Sequence, residues 1–278
     1  MHNSLKGTFR KSIASKNLSR MWLLLGRIEV PNLSLQFYQK KILEIIFEVN
    51  SIDQKKLKDP IKAIYFLNDL LFKKHHFVGR SEHFKNKIDE PRRFFLHYLL
   101  DTKEGNPLTM AVLYYLMAER IGLTCELIGV PNYYFIKVRD VTGSIYIDPF
   151  EYGMILNEDG FAKRFQQIMK KNMILTSHLY EKLTFVQIIT RLIQQLKQSY
   201  LLIGNTICAL YSIEVLSMLF PKSPEISRDR GILYFEVEYF SHAIKDLKYY
   251  LKHRPNAEDA SQIRQLTSML RGYSEVVN

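Results

Sequence analysis

Apolar residues recur at steps of three and four along much of the chain, with charged residues between them. Leu35, Tyr38, Ile42 and Ile46 share one helical face while Lys40, Lys41 and Glu44 fall elsewhere, so the pattern predicts an amphipathic helix over 33–49. A shorter helix over 18–28 precedes it, and Pro31 separates the two. Pro60, allowed in a first turn because its missing N–H would go unused there, opens a third helix through Ile64, Leu67, Leu70 and Leu71. Residues 73–90, with His75, His76 and Gly79 among mixed charges, break the period and read as a loop. Pro91 then opens a short helix over 92–100, whose Phe94, Phe95, Tyr98 and Leu99 need a core. The first twenty residues are basic and carry Ser and Asn, and are expected to be a flexible, frayed terminus.

The pattern changes in the centre. Gly105-Asn106-Pro107-Leu108-Thr109 starts a helix whose Leu108, Val112, Tyr115, Leu116 and 118–121 region is too apolar for a surface element, so it is expected to be buried on most sides, with Gly122 ending it. Residues 125–130, 133–138 and 144–147 are strands by their β-branched and aromatic content. Pro131-Asn132 and Thr142-Gly143 supply the turns, which makes the last pair an antiparallel hairpin. Gly153 and Gly160 punctuate a polar loop before a helix over 161–169. A buried helix followed by a small antiparallel sheet is an α+β pattern.

Past residue 179 only helical spacing remains, and it repeats. Tyr200 and Tyr234, Ala209 and Ala243, Ile213 and Leu247, and Pro221 and Pro255 are each 34 residues apart, the tetratricopeptide period. Gly231, Tyr234, Ala243 and Pro255 fill the small, aromatic, small and terminating positions of the second copy. The reading is therefore a domain over 21–178, then an all-α tetratricopeptide-type region over 179–278 with repeats at about 190–223 and 224–257 and a final helix over 257–273 that caps the stack. Two repeats rarely stand alone, so this region is expected to pack against the first domain or to dock a protein or peptide partner.

Composition narrows the function classes. With 47% hydrophobic and 24% charged residues, the chain can bury a substantial core in one or two domains. No apolar run reaches the length of a bilayer span; residues 207–220 are interrupted by Glu214, and 21–25 are too short for a signal-peptide core, so a cytoplasmic protein without membrane contact is expected. Cys125 and Cys208 form no CxxC pair and share no metal-ligand spacing with the histidines; neither disulfide, metal nor other cofactor is expected. The net charge of +11 concentrates early, with Lys6, Arg10, Lys11, Lys16 and Arg20 unopposed by any acid in the first twenty residues. Without a helix-turn-helix, RNP or zinc-finger signature, this reads as a solvated basic face, and nucleic-acid binding is not expected.

The central stretch resembles the transglutaminase-like superfamily, which shares its core with papain-type cysteine proteases. The resemblance implies a cysteine at the start of the buried helix as nucleophile, a histidine on the following sheet as base and an aspartate one strand later to orient it. Gly105-Asn106-Pro107, Ala111 and Gly122 fit the helix frame and put Pro107 on the nucleophile position. Gly129-Val130-Pro131-Asn132-Tyr133-Tyr134 fits the strand that carries the base and puts Tyr133 there, while Asp148-Pro149-Phe150 keeps the third member. More closely, Leu67-Asn68, residues 77–79, Gly105 to Thr109, Gly122-Leu123, Gly129-Val130, Asp148 to Phe150 and Gly153 resemble the bacterial SirB-type branch, in which a transglutaminase-like domain precedes tetratricopeptide helices. That branch commonly has proline in place of the cysteine but tends to keep the histidine, so Tyr133 is a further departure.

The resemblance thus implies a non-catalytic binding or scaffold protein, with Pro107, Tyr133 and Asp148 as vestigial triad positions and Asn106, Thr109 and Tyr134 lining a degenerate cleft. The alternative is a hydrolase or acyl-transferase of altered mechanism, with Asp148 assisted by a non-standard base such as His83 or His97; His75 and His76 are further imidazoles from the same upstream region. Thr109 as a substitute nucleophile would need a neighbouring base, and its first-turn position suits helix capping better. Cys125, at a strand start and far from a helix N-terminus, reads as a buried structural residue rather than a displaced nucleophile.

Overall fold

The computed structural model describes residues 3–50, 58–79, 90–141, 143–169 and 180–276. His83 and most of the loop expected over 73–90 lie outside them. Two compact units emerge: one spans Asn17–Ile189, and the other joins the segment up to Lys16 to the chain from Thr190 onward.

The first twenty residues are not frayed as expected. Asn3–Ser15 is a helix, α1, and Leu18–Leu25 a second, α2. On α1, Phe9 and Ser12 are buried, and Lys6 reaches Glu214 at 2.8 Å, so α1 belongs with the C-terminal helices. Its own periodicity is thin; tertiary contact supplies what an isolated helix of this length lacks. At α2 the Asn17 side chain caps the Arg20 N–H, and the single Trp22 is fully buried with its indole N–H donated to the Phe94 carbonyl at 2.8 Å.

The expected helices follow as α3 (Leu35–Asn50) and α4 (Pro60–Asn68), the latter capped by Asp59 with Pro60 in its first turn. A π-helical turn, Asp69–Lys74, extends α4. The short helix expected over 92–100 is split: Pro91–Phe94 forms a 3-10 turn, Phe95 is extended, and α5 runs Leu96–Thr102. The central helix α6, Pro107–Arg120, is buried at ten of its fourteen positions, which bears out a helix apolar on most sides.

The three expected strands are β1 (Cys125–Val130), β2 (Tyr133–Asp140) and β3 (Gly143–Asp148), each antiparallel to the next. Two short edges that the pattern did not announce, β4 (Met154–Leu156) and β5 (Glu181–Lys182), complete a five-stranded sheet ordered β4-β3-β2-β1-β5. Asn132 takes a positive φ of 59° in the β1–β2 turn, a conformation asparagine tolerates. Tyr133 to Ile136 are all buried because β2 is covered on both faces. Tyr133 and Phe135 pack with Phe161 and Phe165 of α7 (Glu158–Met169), whereas strand alternation turns Tyr134 and Ile136 to the face met by α6.

In the second unit, α8 (Phe185–Leu202) crosses from the first, and α9 (Thr206–Leu219), α10 (Pro224–Glu236), α11 (Phe240–His253) and α12 (Ala260–Val276) follow as successive packed neighbours. The 34-residue period has a packing basis. Tyr200, Tyr234, Ala209, Ala243, Ile213 and Leu247 are all buried. A Cβ placed on Gly231 would sit 2.8 Å from the Leu247 side chain, so the α10–α11 crossing depends on a residue without one. No helix among the described residues is long and apolar enough to cross a membrane.

Candidate functional site

The residues singled out in the sequence separate into two groups. At the start of α6, Asn106 and Thr109 close a reciprocal cap: the Asn106 Oδ1 accepts the Thr109 N–H and the Thr109 Oγ1 accepts the Asn106 N–H, both at 2.9 Å. Thr109 is fully buried, and its hydroxyl is directed to the Asn106 carbonyl and side chain. Its bonds are those of a cap and not of a nucleophile beside a base. Pro107 supplies the first turn with its preset φ.

Tyr133 and Asp148 form the second group. The Tyr133 hydroxyl lies 3.1 and 3.0 Å from the two oxygens of Asp148, which is itself fully buried. Asp148 Oδ1 also accepts the backbone N–H groups of Phe150 and Glu151 at 3.1 and 3.3 Å, capping the 3-10 turn Pro149–Glu151. Arg164, from α7, completes the network: its Nε donates to Asp148 Oδ2 at 3.0 Å, and its Nη2 donates to the Tyr133 hydroxyl at 3.0 Å and to Glu151 at 2.8 Å. Every oxygen that an orienting aspartate would offer to an imidazole is taken. The Tyr133 ring packs edge-on to Phe150 and tilted against Phe135, which fixes its direction.

Electrostatics make this pair a poor acid–base device. Burial and the adjacent carboxylate push the Tyr133 phenol above its ordinary value, so it neither loses its proton near neutral pH nor accepts another. Burial likewise raises the Asp148 carboxyl, against the opposing pull of Arg164 and Tyr133. Arg164 is held protonated by the same neighbours.

The candidate bases that the described residues include do not reach this network. Among the described residues no imidazole hydrogen-bonds Asp148 or Thr109. His97 lies against the rings of Phe95 and Tyr38 and beside Gly26, with burial lowering its basicity. His75 lies 3.1 Å from Glu48. His83 falls outside the described residues. Tyr134, Asn106 and Thr109, expected along a cleft, are all buried. No group of three or more His, Cys, Asp or Glu among the described residues is arranged to hold a metal.

Cys125 is half-buried at the start of β1, and burial with the nearby Glu119 and Glu126 pushes its thiol up to about 12. Only the thiolate is nucleophilic, so alkylation of Cys125 by iodoacetamide at pH 7.5 is expected to be on the order of a hundredfold slower than that of a free model thiol. Labelling followed by mass spectrometry reads this directly, and a fast-reacting Cys125 would return it to consideration as a nucleophile.

Arg164 was missed by the sequence reading, although a signal existed. It stands three residues after Phe161 and one before Phe165, on a helix whose two phenylalanines face the sheet, so helical spacing puts it beside that face. A second set was named without a physical link. The Asn68 side chain donates to the Gly153 carbonyl at 2.8 Å and accepts from the Tyr114 hydroxyl at 3.0 Å, and Gly79 packs so closely on the Phe150 backbone that a Cβ there would lie 2.3 Å from its carbonyl oxygen. Two motif residues upstream of the sheet, Asn68 and Gly79, therefore hold the segment that follows Asp148.

Residues 36–194 match the family model described as the transglutaminase-like superfamily, which is more than half of the chain. The chain belongs to that superfamily. Residues 196–268 match a tetratricopeptide repeat model, so the helical unit after the superfamily domain is of that type. Among relatives, a UPF0162 protein of Xylella fastidiosa (strain Temecula1) is 23% identical over 87% of this chain and 85% of its own length. The protein SirB1 of Salmonella typhimurium is 23% identical over 61% of this chain and 63% of its own, which bears out the SirB-type resemblance. Of solved structures, menin gives a TM-score of 0.39 at 10% identity, covering 88% of this chain and 69% of menin.

Proposed function

We propose that this transglutaminase-like protein is non-catalytic and holds a protein partner through its tetratricopeptide unit, the transglutaminase-like positions serving the fold. The observation that carries the reading is the saturated Asp148: Tyr133 and Arg164 occupy both oxygens of a carboxylate that no solvent reaches. With proline at the nucleophile position, the framework lacks a thiolate, a base and an open orienting group together. Asn106, Thr109 and Tyr134 then act as cap and core rather than as the lining of a binding cleft. The helical repeats are the part of the chain whose architecture is commonly given over to extended binding surfaces.

Turnover assays with amide, ester and amine-donor substrates are expected to stay at the background rate. A hydrolytic or transfer activity that disappears in a folded Asp148→Asn variant would overturn the reading, because it would give Asp148 a chemical role.

A further inference from the structure

The tetratricopeptide unit contains a cavity of about 520 Å³ whose walls come from α1, α9, α10 and α11. Four cations line it, Lys6, Arg10, Arg230 and Lys245, against two carboxylates, Glu214 and Asp246. The inner charges are matched. Lys6 pairs with Glu214 at 2.8 Å, and the Tyr234 hydroxyl donates to the same carboxylate at 2.8 Å. Arg230 grips both oxygens of Asp246 at 2.6 and 2.8 Å and donates to Ser217. Arg10 and Lys245 are exposed and, among the described residues, pair with neither wall carboxylate, and His242 belongs to the same lining. The excess of positive charge is therefore concentrated in the two exposed cations, where a ligand can reach it.

We propose that this cavity binds the carboxylate side chains of an acidic, partly apolar peptide segment of the partner, an inference that rests on the scaffold reading above. Three features select that chemistry. The volume suits a few residues of extended peptide and falls in the ordinary range for ligand sites. Met218, Phe220 and Pro221 give the cavity an apolar wall, which a bare inorganic anion would leave unused. The two exposed cations, Arg10 and Lys245, come from different helices, α1 and α11, which suits separate carboxylates along a peptide better than one compact anion. The site also gives the basic N-terminus a use: Lys6 and Arg10, one turn apart on α1, present their charge to the repeats.

The test is fluorescence anisotropy with a fluorescein-labelled peptide of alternating glutamate and leucine, its lysine–leucine counterpart, and inorganic phosphate as competitor, all on the full chain. The glutamate peptide is expected to bind with an affinity that falls as salt rises. The double variant Arg10→Glu/Lys245→Glu is expected to weaken it by about tenfold or more, and Lys248→Glu, exposed on α11 but outside the lining, to leave it unchanged. All three substitutions are at exposed positions where folding is little affected, and circular dichroism checks this. No binding of the glutamate peptide, equal binding by the lysine peptide, or equal binding by the double variant would overturn the site. Displacement by phosphate beyond that of chloride at matched ionic strength would overturn the peptide assignment. A native partner that the double variant still retains would remove this site while leaving the scaffold reading standing, whereas catalytic turnover would remove the scaffold reading itself.

Discussion

Replacing Arg164 by alanine is expected to destabilise the unit Asn17–Ile189 by about 3–5 kcal/mol at neutral pH, the range found when one partner of a buried ion pair is removed. Asp148 is fully buried, and without Arg164 it would keep the Tyr133 hydroxyl and two backbone donors but no opposite charge. The loss is expected to depend on pH in a defined direction. In the folded protein burial holds the Asp148 carboxyl above its ordinary value, so between that value, about 3.9, and the raised one the native state binds a proton the unfolded chain has lost. Stability from this group therefore falls as pH rises through the window. Removing Arg164 takes away the charge that pulls the carboxyl back down, which widens the window upward. The deficit of Arg164→Ala is thus larger at neutral pH and shrinks on acidification. Urea unfolding followed by the fluorescence of Trp22, the single tryptophan and a buried member of the same unit, measures it. The double variant Arg164→Met/Asp148→Asn, which removes both charges, is expected to recover most of the loss. A deficit independent of pH and equal in the double variant would mean that Arg164 acts by packing alone.

The same network shows which parts of the molecule were legible in sequence. Strands β1 to β3 and helices α3, α4 and α6 follow from local periodicity, because each meets its core through a face it carries in its own residues. The tetratricopeptide unit was legible through its 34-residue spacing, which Gly231 against Leu247 converts into a helix crossing. Helix α1 was not, since only Phe9 and Ser12 of its residues are buried and the decisive partner of Lys6, Glu214, lies 208 residues away. Tyr133 and Asp148 could be placed on their strands, yet the guanidinium that joins them comes from a helix 16 residues beyond Asp148. A motif frame inherited from an enzyme family has no position for such a residue. It marks where the catalytic groups would stand and is silent on what replaced their interactions.

Gly153→Ala is expected to cost about 3–4 kcal/mol, and its origin lies in Asn68. Gly153 has φ +73°, a left-handed conformation that costs an alanine about 1–2 kcal/mol. A Cβ there would also lie 2.1 Å from the Asn68 Oδ1. Asn68 is not free to swing aside, because its amide donates to the Gly153 carbonyl and its oxygen accepts from Tyr114, a fully buried tyrosine whose hydroxyl would lose that partner. Breaking these bonds adds the cost of buried polar groups left unmatched, about 1–3 kcal/mol. The two positions are therefore expected to be non-additive. In an Asn68→Ala background the side chain that blocks the Cβ is already gone, and Gly153→Ala should cost only its backbone share. A double-mutant cycle by urea unfolding reads the difference, and costs that add to within about 0.5 kcal/mol would show that the two residues do not act together. Coupling would explain why an asparagine before the π-helical turn and a glycine after Asp148 belong to one signature: together they hold the chain that leaves the sheet over the buried Asp148, whose own bonds to Tyr133 and Arg164 depend on that path.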